Sequence, residues 1–212
     1  MLDLLFDLLK DPLQFLTQFI AEHGALTYGL LFAIVFVETG LVVMPLLPGD
    51  SLLFSVGLLS AASGQLEVTT VIPMLILAAI LGDQVNYFLG RNFSNWIREK
   101  DQILFLKRSH IEQTEAFYQK YGPKTVIIAR FVPIVRTVAP FVAGAGRMSY
   151  SVYLLFGFLG AVLWVTSITL AGYFLGDNEW VKANFEKVVL GIVGVSVIPI
   201  LLGIVKQKLT QK

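Results

Sequence analysis

The chain has 212 residues, 56% hydrophobic and only 15% charged, far from the roughly 25% charged fraction of soluble domains, and the excess apolar surface asks for a bilayer as solvent. A formal net charge of +1 offers no basic surplus for nucleic acid. The absence of cysteine rules out thiolate metal sites, disulfides and thiol nucleophiles, and two histidines are too few for a multi-histidine centre, so no metal and no cofactor is expected.

Residues 1–23 place Leu2, Leu5, Leu9, Leu13, Leu16 and Ile20 near one helical face, interrupted by Asp3, Asp7, Lys10 and Asp11. This pattern suits a helix lying in the membrane interface, and equally an amphipathic helix packed on protein. The acidic start and the lack of a small-residue cleavage pattern argue against a cleaved signal. Residues 24–64 are apolar but broken by Glu38, Pro45, Pro48, Gly49 and Asp50; they either dip in from one side or cross twice, and about 40 residues fit a hairpin more comfortably than two full spans. A spanning helix is expected over 68–90, provided that Asp83 faces protein or a polar cavity.

The connector 91–124 carries seven basic residues, Arg91, Arg98, Lys100, Lys107, Arg108, Lys120 and Lys124, and the positive-inside rule puts it in the cytoplasm. Within it, Ser109-His110-Ile111-Glu112 reads as a helix start. An apolar stripe at Ile111, Thr114, Tyr118 and Tyr121 and a stop at Gly122-Pro123 complete an amphipathic helix on the inner leaflet. His110 falls in its first turn as a solvated or capping residue.

Residues 125–147 are again apolar and broken, by Arg130, Pro133, Arg136 and Pro140, whereas 148–176 and 188–205 hold no charge and are long enough to span. The tail lysines Lys206, Lys208 and Lys212 place the C-terminus in the cytoplasm with the connector. Two spans between points on one side already return the chain. Residues 125–147, too short for two crossings, must therefore form a second re-entrant hairpin turning at its Pro-rich centre. Tyr87-Phe88-Leu89-Gly90 recurs as Tyr173-Phe174-Leu175-Gly176, each closing a span, and the same offset sets Asp50 over Arg136. Together with the loop charges this predicts an inverted repeat of re-entrant helical hairpin plus spanning helix, an arrangement associated with secondary transporters.

Charges inside such hairpins need partners or water, because each costs at least about 2.5–3.5 kcal/mol at membrane depth. Glu38 and Asp50 come from one hairpin and Arg130 and Arg136 from the other, so their meeting would neutralise all four. One reading makes them salt bridges that hold the hairpins together. The favoured reading makes them an anion site, since an apolar pair could replace a purely structural one at little cost while arginine's planar fork suits phosphate and a buried carboxylate can carry protons. Asp83, with Gln84 and Asn86, either lines this cavity or bonds a neighbouring helix, and Arg147 reads as a snorkelling charge.

The stretches Glu38-Thr39-Gly40, Pro45-Leu46-Leu47-Pro48-Gly49-Asp50-Ser51, Gly82-Asp83-Gln84-Val85-Asn86-Tyr87, Arg130-Phe131-Val132-Pro133-Ile134-Val135-Arg136 and Pro140-Phe141-Val142-Ala143-Gly144 resemble the DedA family of bacterial inner-membrane proteins, which carry a VTT (SNARE-associated) domain. The resemblance covers nearly the whole chain, and Gln84, where relatives often have a small residue, departs from it only locally. It implies lipid transport, because the family shares its domain with eukaryotic lipid scramblases and is implicated in proton-motive-force dependence and polyprenyl phosphate recycling. It also implies that the family's functional acids fall on Glu38 and Asp50 and its arginines on Arg130 and Arg136. The expectation is then a multi-pass, non-enzymatic transporter moving a phosphate-bearing lipid, with undecaprenyl phosphate in first place and protons as coupling ion. Arg130 and Arg136 would hold the phosphate and Glu38 and Asp50 would exchange protons. A non-selective phospholipid scramblase and a proton-coupled exporter of soluble solutes are the alternatives. A lipid phosphatase is disfavoured because neither His23 nor His110 lies in an apolar hairpin.

Overall fold

The computed structural model describes residues 11–41, 49–64, 66–99, 102–103, 106–107, 118 and 122–176, with positions 178, 180–181, 184, 187–188 and 191. Helix α1 (Pro12–His23) starts where the Asp11 carboxylate accepts from Gln14 N–H at 2.9 Å with Pro12 in the first turn, and it stops at Gly24, φ 51°. Its Phe15, Leu16 and Ile20 are buried in the main core, while Gln14, Thr17, Gln18 and Glu22 are exposed. The apolar face is thus spent on protein, and residues 1–10 of the expected interfacial helix lie outside the described residues.

Helices α2 (Leu26–Gly40) and α3 (Gly49–Ser63) flank the expected break, whose Pro45 and Pro48 lie outside the described residues. Helix α4 runs Val68–Glu99, beyond the expected end at 90. Residues 91–99 contain neither proline nor glycine, so nothing stops the helix there. Gly90 serves instead to let the Phe141 backbone come close, since a Cβ would stand 2.7 Å from the Phe141 carbonyl carbon. The connector then holds a two-residue antiparallel pair, β1 (Gln102–Ile103) with β2 (Leu106–Lys107), which qualifies the all-α expectation. The helix start at Ser109–Glu112 lies outside the described residues, but Tyr118 is helical and Gly122, φ 72°, marks the expected stop. The Tyr118 hydroxyl donates to the Ala139 carbonyl at 3.3 Å, and burial pushes it up to about 12, so it remains a donor at neutral pH.

Helices α5 (Lys124–Ala129) and α6 (Pro133–Ala145) are separated by Arg130–Val132, with Val132 extended as a residue before proline must be. Within 125–147 the break falls at Arg130–Val132, just before Pro133. Pro140, the second expected breaker, is absorbed inside α6. Helix α7 (Tyr150–Leu175) follows the sharp turn at Arg147, φ 52°. The stretches Val68–Phe93 and Tyr150–Leu175, each 26 residues, are long and apolar enough to cross a hydrocarbon layer. Their outer faces expose Leu77, Leu81 and Phe88 and Leu155, Phe158 and Leu163, as lipid-facing surfaces should. The expected last span, 188–205, lies outside the described residues except Val188 and Gly191.

The most extensive packing joins α3 to α7 and α4 to α6, with α2 on α4 and α5 on α7. Both large crossings are made close by glycine. A Cβ on Gly57 would meet the Tyr173 amide at 2.8 Å, and one on Gly144 would meet the Arg91 amide and the Tyr87 carbonyl carbon, each at 2.9 Å. With little hydrophobic drive between helices in lipid, such small-residue contacts carry the packing. The core beneath holds Leu52, Phe54, Leu75, Ala78, Ala161 and Val165. A smaller cluster sits where Tyr87 and Tyr153 stack with ring centroids 4.5 Å apart.

Candidate functional site

Glu38 lies in the last turn of α2 and Asp50 in the first turn of α3, next to Gly49. Gly49 lies against the Glu38 carboxylate, where a Cβ would stand 2.6 Å from Oε1. Both acids converge on Arg136 in the first turn of α6, which donates from Nη2 to Glu38 Oε1 and from Nη1 to Asp50 Oδ1, each at 2.5 Å. Trp164, near the middle of α7, donates from Nε1 to the same Asp50 oxygen at 2.8 Å. Its ring centroid lies 4.9 Å from the Arg136 guanidinium carbon and 5.5 Å from that of Arg130, both within cation–π range.

Arg130, in the break between α5 and α6, turns to a different acid: its Nη1 donates to Asp83 Oδ2 of α4. Asp83 is held in turn by the Tyr153 hydroxyl, which donates to its backbone carbonyl at 3.3 Å. All five charged groups are buried, from Glu38 at 1% exposure to Arg136 at 9%. Three carboxylates therefore meet two guanidiniums, and the fully ionised cluster would carry one excess negative charge. Among the described residues, Glu38 Oε2, Arg130 Nε and Nη2, and Arg136 Nε find no hydrogen-bond partner. A buried polar atom left unmet costs about 1–3 kcal/mol, more when charged, so the cluster has donors to spare for an incoming anion.

The sequence expectation brought Glu38, Asp50, Arg130 and Arg136 to one place, and they are there. The pairing differs: Arg136 takes both hairpin acids through its two terminal nitrogens, and Arg130 stands on Asp83, which the sequence left open between cavity lining and a helix bond. Asn86 makes the bonds to neighbouring helices that the sequence allowed. Fully buried, it donates from Nδ2 to the carbonyls of Thr39 at 3.0 Å and Thr137 at 2.7 Å, fastening α2 and α6 to α4. Arg147 is exposed at the turn into α7, and His23 is exposed at the end of α1, stacked on Phe19; neither joins the cluster. Trp164 and Tyr153 escaped the sequence reading. A signal for Trp164 was available, because tryptophan normally marks the ends of a span and this one sits mid-span.

Fold and site define a helical membrane protein in which broken helices bury an ionic cluster beside two span-length helices. A family model described as the VTT domain matches residues 47–174. Protein DedA of Escherichia coli (strain K12) is 46% identical over 194 residues, covering 91% of this chain and 89% of that protein. The uncharacterized membrane protein Rv0364 of Mycobacterium tuberculosis (strain ATCC 25618 / H37Rv) is 44% identical over 192 residues, covering 90% and 84%. The inner membrane protein YqjA of Escherichia coli (strain K12) is 34% identical over 151 residues, covering 71% and 68%. No solved structure matches the chain. The chain belongs to the DedA family of VTT-domain membrane proteins.

Proposed function

We propose that this protein is a multi-pass inner-membrane transporter that moves a phosphate-bearing lipid between leaflets, undecaprenyl phosphate being the leading substrate, with protons as the coupling ion. The observation that carries the reading is the buried cluster with unmet guanidinium donors. Asp83 and Trp164 lie near the middle of the two 26-residue apolar stretches, which supports a site at mid-depth in the bilayer. Helices α2 and α3, 15 residues each, and α6, 13 residues, are too short to cross about 30 Å of hydrocarbon at 1.5 Å per residue. That supports two re-entrant hairpins, 24–64 and 125–147, beside the spans. The crossed packing, α3 on α7 and α4 on α6, supports the inverted repeat, since each hairpin's second helix rests on the other half's span.

Arg130 and Arg136 supply the attraction for the head group while the tail remains in lipid. Three acids against two arginines make the empty cluster neutral only with one proton bound, and this excess supports proton exchange at Glu38 and Asp50. The basic residues of the connector and the lysines of the tail support a cytoplasmic placement of both. A transporter rather than an enzyme fits the absence of a histidine from the cluster's residues. The test is transfer of labelled undecaprenyl phosphate across proteoliposome bilayers under an imposed pH gradient. Transfer that depends on the gradient and is lost in Arg136→Ala is expected. No transfer, or equal transfer by the variant, overturns the reading; leaflet mixing without head-group preference or gradient dependence makes the protein a scramblase. Proton flux driven by soluble solutes alone makes it an exporter.

A further inference from the structure

The two arginines differ in what remains open on each. Arg136 has committed both terminal nitrogens to carboxylates, leaving Nε alone. Arg130 has committed only Nη1, and its open atoms, Nε and Nη2, form one side of the guanidinium, where two N–H bonds point in parallel. Among the described residues of the cluster this is the one pair of parallel donors without an acceptor, on a side chain only 5% exposed. A tetrahedral oxyanion offers two oxygens at the spacing such an edge grips. A single Nε cannot do the same.

The surroundings of Arg130 hold that edge in place. Asp83 fixes Nη1 from the opposite corner, and Trp164 covers one face. Glycines on α7 make the room: a Cβ on Gly160 would stand 3.4 Å from Arg130 Cδ, and one on Gly157 4.0 Å from Asp83 Oδ2. We propose that Arg130 makes the direct bidentate contact with the phosphate group, that Asp83 is the positioning residue that keeps its Nε–Nη2 edge presented, and that Arg136 serves as the clasp between the hairpin acids. This division of labour rests on the transport reading above and refines which groups do which work.

The experiment titrates purified protein in dodecyl maltoside micelles with dodecyl phosphate, and separately with inorganic phosphate, following the arginine Nε–H signals by 15N NMR. The Arg130 signal is assigned by its loss in Arg130→Lys. Dodecyl phosphate is expected to shift the Arg130 Nε signal and leave that of Arg136 nearly unmoved, with inorganic phosphate ineffective at equal concentration. Arg130→Lys should bind dodecyl phosphate about tenfold or more weakly, the loss of a charge-assisted bond. Asp83→Asn and Asp83→Leu both remove the charge, but only Asn keeps an acceptor for Nη1. Asn is expected to bind at least about fivefold more tightly than Leu, a rescue that charge or packing alone does not give. A shift at Arg136 instead of Arg130, or equal binding by Asn and Leu, overturns the assignment while lipid-phosphate binding stands. Failure of the unaltered protein to bind dodecyl phosphate, or binding of inorganic phosphate alone, overturns the assignment and the lipid reading together.

Discussion

Each half of the chain lays a short helix on the other half's span-length helix, and the two halves bring opposite charges to the middle. In the first half α3 lies against α7 through Gly57, which faces Tyr173; in the second α6 lies against α4 through Gly144, which faces Tyr87. Those tyrosines open the repeated Tyr-Phe-Leu-Gly motif, so the repeat marks where each span receives the other half's helix. Yet the first half brings Glu38 and Asp50 to the cluster, and the second brings Arg130 and Arg136. The two crossings are alike in their close glycine approach and opposite in the charges they bring. Asp50 and Arg136, 86 residues apart and matched by the offset of the repeated motif, are bonded to each other.

The largest effect should come from breaking the charge complement. Arg136→Leu strands Glu38 and Asp50 together in the interior and is expected to cost about 3–5 kcal/mol, as removal of one partner from a buried ion pair does. The measurement is the shift in a reversible unfolding midpoint in mixed micelles. A cost no larger than that of an exposed substitution would mean that the acids do not depend on the second half. The framework is tested next. Gly57→Ala and Gly144→Ala each push a methyl group into facing backbone, closest to the carbonyl oxygens of Thr169 and Tyr87, and overpacking of this kind costs about 1–3 kcal/mol or more. The two values should agree within about 1 kcal/mol if the crossings are equivalent. A large penalty at one site and none at the other would show that the halves pack by different rules.

Much of this was legible in the sequence because lipid imposes strict terms. Charge-free runs, Pro–Gly breaks and the placement of Lys and Arg are consequences of solvation, and they marked the two span-length helices apart from the α4 end, while Pro140, read as a breaker, lies inside α6 and the connector's strand pair was not foreseen. That end was misplaced because Gly90 was read as a stop, when a glycine in a membrane helix can equally be a place of close approach. The four hairpin charges were legible as a group from the cost of leaving any one alone. Their pairing was not, since sequence gives no account of which guanidinium corner faces which oxygen. Asp83 is the instructive case: its partner Arg130 stands 47 residues away, and only the α4–α5–α7 packing brings them together.

Asn86 tests how the halves are fastened. Replacing it by Leu removes both donors to the Thr39 and Thr137 carbonyls and should cost about 1–3 kcal/mol in the same unfolding measurement, with the loss shared between α2 and α6. If proteolytic cleavage rises in one hairpin only, the tie serves that half alone.

The smallest effect expected is at Trp164, whose indole is shared between the halves. Trp164→Phe keeps a ring beneath both guanidiniums but removes the N–H that Asp50 Oδ1 accepts, so the loss should be near that of one hydrogen bond to a charged group, about 1.5–3 kcal/mol, offset by the second donor from Arg136 to about 1 kcal/mol. A double-mutant cycle with Asp50→Ala isolates the bond itself, because alanine removes the oxygen that accepts from Nε1. Coupling of about 0.5 kcal/mol or more is expected. Additive costs would mean that Trp164 acts on the arginines through its ring alone, and the two halves would then meet through guanidinium and carboxylate without an aromatic intermediary.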